Sequence, residues 1–211
     1  THRLNGVTKF EYDTLDRITR VELPNEVVTT FTYDLLGRHI TESSPDRGNM
    51  SYRYDLADNR VQMTDGRNIV TDYSYDELER VTTKQFPASP EEDVTFTYDD
   101  CNLGLGYLCE IDDEAGSLAF EYDAFRNIVS MTKQEVGQTY TTAYVYDNGD
   151  NVIQATYPSG RVVNYQRDGV RRIASISAIV NGTEQTLASG IQYRGDHQIT
   201  QCTFGNGLVD T

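Results

Sequence analysis

Large apolar and polar residues alternate in short bursts along almost the whole chain. Phe10 and Tyr12, Phe31 and Tyr33, Tyr52 and Tyr54, Tyr73 and Tyr75, Phe96 and Tyr98, Phe120 and Tyr122, and Tyr144 and Tyr146 each stand two residues apart. Side chains two apart share one face of a strand. Thr32, Arg53, Ser74, Thr97, Glu121 and Val145 lie between them and point to the other face. The pattern predicts a strand at the head of each copy. Weaker copies follow around Val163 and Tyr165, and around Ile191 and Tyr193.

After each Tyr the chain must turn. Asp13, Asp34, Asp55, Asp76, Asp99, Asp123 and Asp147 follow it directly. A short carboxylate in that place can accept backbone N–H groups from further along the turn. Three residues on stands Asp16, Gly37, Asp58, Glu79, Arg126 or Asp150. Gly and Asp accept a left-handed backbone there, whereas Glu79 and Arg126 do so less readily. Arg17, Arg38, Asn59, Arg80, Asn127 and Asn151 then open the return strand. A second turn closes each unit, at LPNE, SPDRGN, TDGRN, FPASPEED, DEAGS and YPSGR. Pro, Gly, Asn and Asp are what tight turns require.

The Tyr-Asp pairs fall 21, 21, 21, 23, 24 and 24 residues apart. With the two degenerate copies near 165 and 193, the array fills residues 1–211 as about nine repeats in a single domain. The expected fold is all-β: a continuous antiparallel meander of hairpins forming a curved ribbon or part of a spiral shell. One such sheet cannot bury an apolar face alone, so each copy needs its neighbour.

These phrases resemble the RHS repeat, also called the YD repeat. Tyr33-Asp34-Leu35-Leu36-Gly37-Arg38 is the clearest match, with YDLADNR, YDELERV, YDAFRNI and YDNGDNV as variants and FGNGL at 204–208 similar to the family's YGNGL. The resemblance spans about residues 4–208. It implies a β-strand spiral that forms a hollow shell. In bacterial toxin complexes and polymorphic toxins such a shell encloses a C-terminal toxin, some relatives are wall-associated, and teneurins use a similar barrel in adhesion. The toxin shells end in an autoproteolytic segment with a DPxGL-like motif. This sequence has none, so self-cleavage is not assigned to it.

Composition narrows the function further. Lys and Arg number 18 against 33 Asp and Glu, a formal charge of −15. Nucleic-acid binding and docking on an anionic membrane both need clustered cations, so neither is expected. No apolar run is long enough to span a bilayer. Tyr occurs fifteen times and Trp not at all. His2, His39 and His197 lie far apart in no metal spacing, and each is read as an ordinary side chain. There is no nucleophile elbow, phosphate loop or dinucleotide fingerprint. DNGDN lacks the full order of a calcium loop. Recurrent Tyr, Asp and Arg could line a sugar groove, and paired carboxylates could suggest a glycosidase. An active site, however, needs one special constellation, and this one recurs in every copy.

Cys101 and Cys109 bound the unusual turn CNLGLGYLC. They are either bridged, as suits an oxidising compartment, or a reduced pair across a strand pair. Cys202 is left without a partner. The reading is therefore a non-catalytic, cofactor-free and metal-free shell segment of a large secreted or cell-surface bacterial protein, enclosing or displaying a toxin or effector. The Tyr-Asp turns and their Arg or Asn partners carry the framework. The expected partners are other repeats and domains of the parent chain and such a cargo, and the fragment could also self-associate. The alternative is an adhesion module that binds carbohydrate or a partner protein through exposed Tyr.

Overall fold

The computed structural model describes residues 6–210. His2 lies outside the described residues. Among the described residues there are nineteen strands and one 3-10 turn at Pro90–Glu92. The array read as one domain clusters into two compact units, the first ending at Phe96 and the second beginning at Thr97.

The first unit holds β1 (Lys9–Tyr12), β2 (Ile18–Glu22), β3 (Val28–Tyr33), β4 (His39–Ser44), β5 (Gly48–Tyr54), β6 (Arg60–Thr64), β7 (Val70–Tyr75) and β8 (Val81–Gln85). β9 (Val94–Tyr98) carries the boundary and follows the long FPASPEED connection. The second unit holds β10 (Leu108–Asp113), β11 (Gly116–Tyr122), β12 (Ile128–Glu135), β13 (Gln138–Tyr146), β14 (Val152–Thr156), β15 (Val162–Arg167), β16 (Ile173–Val180), β17 (Thr183–Tyr193), β18 (Ile199–Phe204) and β19 (Val209–Asp210). Within each unit every strand pairs antiparallel with the next in sequence. The all-β meander is the fold that the alternation predicts.

β5 shows the alternation most plainly. Gly48, Met50, Tyr52 and Tyr54 are half-buried, and Asn49, Ser51 and Arg53 between them are exposed. The core differs between the units. Among the described residues every buried apolar one lies in the second: Cys109, Tyr122, Ala155, Val163, Ala178 and Ala188. In the first unit the buried residues are polar, namely Glu42, Ser44 and Thr71.

One register feature recurs. The pairing shifts by a residue at each Tyr, so Tyr12 faces Ile18, Tyr33 faces His39, Tyr54 faces Arg60 and Tyr146 faces Val152. Such a bulge disrupts the ladder locally and bends the strand. The next ladder begins further in, at Arg20 with Thr30, Thr41 with Ser51 and Gln62 with Asp72. Adjacent hairpins are thus laddered in mid-strand and splayed at the Tyr-Asp end.

Candidate functional site

Outside the Cys101–Cys109 loop the Tyr-Asp turn has one structure. The Asp N–H donates to the carbonyl four residues on, from Asp13 to Arg17 at 2.9 Å, Asp55 to Asn59 at 3.0 Å and Asp147 to Asn151 at 3.0 Å. The residue three beyond the Asp is left-handed, with φ of +59° at Asp16, +86° at Gly37, +61° at Glu79 and +77° at Arg126. This is a type I turn closed by a left-handed residue, a common hairpin loop. The carboxylate holds it. Asp34 Oδ1 accepts the N–H groups of Leu36 and Arg38, each at 2.9 Å. Asp34 Oδ2 accepts from Arg38 Nε at 2.6 Å. The same pattern recurs at Asp13 with Arg17 and Asp76 with Arg80, and Asn59, Asn127 and Asn151 supply an amide in place of the guanidinium.

These bonds favour the ionised carboxyl. The Arg17 backbone N–H holds Asp13 below the usual carboxylate range, with the Arg17 side chain adding to it. The backbone N–H of Arg80 does the same for Asp76, and that of Asn151 for Asp147. At Asp34 partial burial pulls the other way and is outweighed by hydrogen bonds from Arg38.

The splay between hairpins is filled by the next copy's Tyr. Tyr33 donates its hydroxyl to the Ile18 carbonyl at 2.8 Å, Tyr54 to His39 at 2.9 Å, Tyr75 to Arg60 at 2.9 Å, Tyr146 to Ile128 at 2.8 Å and Tyr193 to Ile173 at 2.8 Å. Each acceptor immediately follows the Arg or Asn of the preceding turn, where the ladder to the next strand has not begun. The guanidinium completes the joint. Arg17 lies 4.6 Å above the Tyr33 ring and Arg38 lies 5.0 Å above Tyr54. Their Nη1 atoms donate to the carbonyls of Asp34 and Asp55, at 3.2 and 2.8 Å. The motif therefore does two things: its Asp shapes its own turn, and its Tyr and Arg join that turn to its neighbours.

Sequence reading missed several members of this series. The copy centred on Tyr165 has its turn two residues later, at Arg167-Asp168. Asp168 accepts from the N–H groups of Val170 and Arg172, each at 3.0 Å. Arg167 stands in the Tyr place, where its Nη2 reaches the Val152 carbonyl at 3.1 Å. The cue was the Asp, whose spacing to Arg172 matches that of Asp13 to Arg17. The copy at Tyr193 keeps its Tyr but has Arg194 in the Asp place, and its N–H still donates to the Gln198 carbonyl at 2.9 Å. In the CNLGLGYLC turn Asp99 keeps its role across a larger loop. Its N–H donates to the Tyr107 carbonyl at 3.1 Å and its Oδ1 accepts from Gly106 at 2.5 Å. Tyr107 thus takes the Arg place, and its ring lies 5.0 Å from that of Tyr122. A disulfide joins Cys101 and Cys109, with Cα atoms 5.5 Å apart. Cys202 is free and half-buried. Asp65 uses the same turn chemistry at the opposite hairpin end, accepting from Arg67 and Ile69 at 2.9 Å each.

Two further observations bear on what the array can do. His39 lies among Phe31, Tyr33 and Tyr52, with ring centroids 5.1–5.8 Å away. The tips of the Tyr-Asp turns carry exposed apolar side chains in one recurring place: Leu15, Leu36, Leu78, Phe125 and Val170. Among the described residues no helix is long and apolar enough to cross a membrane, and no three His, Cys, Asp or Glu gather as a metal site.

A meander of like hairpins, joined one to the next by the same Tyr hydroxyl bond, defines a structural repeat protein. The family model of the teneurin YD-shell matches residues 2–198, and the chain belongs to that family, within the RHS/YD class expected from its sequence. The fold is that of solved toxin structures. The TcdB2-TccC3 complex matches 97% of this chain at a TM-score of 0.85 and 15% identity. TcdB2-TccC3 without its hypervariable C-terminal region matches 97% at 0.83 and 16% identity. The Tc holotoxin pore of Photorhabdus luminescens matches 96% at 0.81 and 16% identity. This chain spans 12% of the length of each of those chains. A comparison with curated protein sequences finds no match.

Proposed function

We propose that this chain is a non-catalytic segment of wall in a larger secreted or cell-surface bacterial YD-repeat protein, whose shell encloses or displays a toxin or effector domain. The observation that carries this reading is the repetition of one hairpin-to-hairpin joint along the array. The chemistry of each turn is spent on its own backbone and on the neighbouring hairpin. A catalytic site would need one turn set apart by unused reactive groups. The recurring apolar tips at Leu15, Leu36, Leu78, Phe125 and Val170 suit contact with further parts of the parent chain. The disulfide suits an oxidising compartment.

Limited proteolysis of the full-length parent tests the proposal. The enclosed domain should resist protease in the native protein and become sensitive when Tyr54→Ala and Tyr122→Ala together open the wall. Equal sensitivity before and after would sink it. A glycan-array signal lost on replacing exposed Tyr140 and Tyr157 would instead favour adhesion.

A further inference from the structure

In the second unit a cavity of about 400 Å³ lies between two successive Tyr-Asp turns, lined among others by Asp123, Asn127, Tyr144, Tyr146, Asp147 and Asp150. The first unit shows what belongs in such a space. There Arg38 bridges two turns. Its Nε donates to Asp34 Oδ2 at 2.6 Å, and its Nη1 donates to the Asp55 carbonyl at 2.8 Å and Asp58 Oδ1 at 2.9 Å. Its guanidinium lies 5.0 Å above the Tyr54 ring.

Each of those four partners has a counterpart around the cavity. Asp123 stands for Asp34, Tyr146 for Tyr54, Asp147 for Asp55 and Asp150 for Asp58, by position in the repeat. The occupant differs. Asn127 stands where Arg38 stands, and its amide reaches Asp123 Oδ2 at 3.1 Å and Asp150 Oδ1 at 2.9 Å. An amide on a one-carbon stem touches the two carboxylates and brings no charge and no planar fork to the space beyond. Of the two arginines near these turns, Arg126 lies 5.6 Å above the Tyr107 ring. Arg171 packs against Gly149, and after the Asn151 N–H its charge helps hold the Asp147 carboxyl ionised, leaving the Asp123 and Asp150 side with no guanidinium of its own among the described residues.

We propose that this cavity is a guanidinium-binding site, taking the side chain of an arginine presented by another polypeptide segment. Carboxylates at Asp123 and Asp150 would pair with the fork, and the Tyr146 ring would stack under it. Guanidinium groups favour this combination of a carboxylate fork and an aromatic face. A lysine ammonium would satisfy the charge but not the planar geometry. The proposal rests on the cavity and its filled counterpart, and it stands whatever domain the parent shell encloses.

The test uses Nα-acetyl-arginine amide, followed by NMR through the Asn127 side-chain amide and the ring of Tyr146. The neutral isostere Nα-acetyl-citrulline amide is the control. Shifts at both reporters with the arginine probe and none with citrulline are expected. Asn127→Arg should supply the missing group from within, raise the melting temperature and abolish the probe's shifts at Tyr146. Asp150→Asn keeps a residue that tolerates the left-handed backbone, and it should weaken binding without unfolding the unit. No shift with the arginine probe overturns the proposal. Equal shifts with citrulline, or undiminished binding to Asn127→Arg, overturn it as well.

Discussion

The two units share one turn and differ in what holds their hairpins together. In the first unit Arg17 and Arg38 each clamp two turns and cover the next Tyr ring, and among the described residues no apolar one is buried. In the second unit Asn127 and Asn151 replace the guanidinium, as Asn59 does in the first, while Arg172 keeps it, 4.6 Å above the Tyr193 ring. Burial there moves to Tyr122, Ala155, Val163, Ala178 and Ala188. A sheet with one apolar face can thus be stabilised by polar joints along one end or by longer strands that cover more of that face. The copies with Arg17 and Arg38 do the first, and the copies that bury Tyr122, Ala155, Val163, Ala178 and Ala188 do the second.

The largest effects should come from removing rings. Tyr122 is 7% exposed, its hydroxyl donates to the Leu108 carbonyl at 2.7 Å, and Tyr107 packs on it. Tyr122→Ala should destabilise the second unit by about 3–5 kcal/mol, as large aromatic truncations do. Tyr54 is only half-buried, so Tyr54→Ala should cost about 2–3 kcal/mol. Tyr54→Phe removes only the bond to the His39 carbonyl and should cost about 1 kcal/mol. Urea denaturation with one probe in each unit measures all three. If Tyr54→Ala proved as costly as Tyr122→Ala, the contrast in burial between the units would fail.

Next comes the disulfide, which occurs in the second unit. The loop it closes is short, with a sequence separation of 8. Replacing Cys101 and Cys109 together by Ser should cost about 2–3 kcal/mol by the chain-entropy account. Hydrogen exchange should show the loss at the amides of Gly104 and Tyr107, whose turn bonds lie inside the loop. Uniform loss of protection through the second unit would mean that the bridge holds more than its own turn.

Acid should act on both units through their turns. The carboxyls of Asp13, Asp34, Asp76 and Asp147 are all held below the ordinary carboxylate value of 3.8. A depressed folded-state pKa gives stability that is present above the unfolded value and lost as pH falls through the folded one. The melting temperature should therefore hold near neutrality and fall below about pH 4. Asp76→Asn should lower it at neutral pH and make the acid limb shallower. An unchanged acid limb would mean that the turn carboxylates do not couple to folding.

Much of this fold could be read in the sequence because each copy states it again. The pairs two apart gave the strand face, and Asp followed by Gly or Asp gave the turn. The inter-hairpin joint could not be read. The bond from the Tyr54 hydroxyl to the His39 carbonyl crosses fifteen residues and depends on a bulge that leaves no mark in the residue pattern. The copy around Tyr165 misled because an aromatic stood two residues early, where Tyr144 stands in the copy before, while Arg167 filled the expected place. Tyr107 was hidden because the enlarged cysteine loop changed its spacing from Asp99.

The smallest effect sharpens the comparison within one turn. Gly37 and Glu79 occupy the same left-handed place in two copies of the first unit, at φ of +86° and +61°. A residue with a Cβ is strained there by about 1 kcal/mol, whereas Gly is not. Glu79→Gly should therefore stabilise the protein by about 0.5–1 kcal/mol, less whatever the freer unfolded chain gains. Gly37→Ala should destabilise it by a similar amount, since a Cβ at Gly37 meets nothing closer than Arg17 Nη1 at 3.6 Å and only the backbone angle resists. Thermal melts of both variants decide the point. Opposite shifts of comparable size would show that the two turns are one structure with interchangeable residues. A loss in both would mean that the relief of backbone strain at Glu79 is smaller than the entropy Gly adds to the unfolded chain.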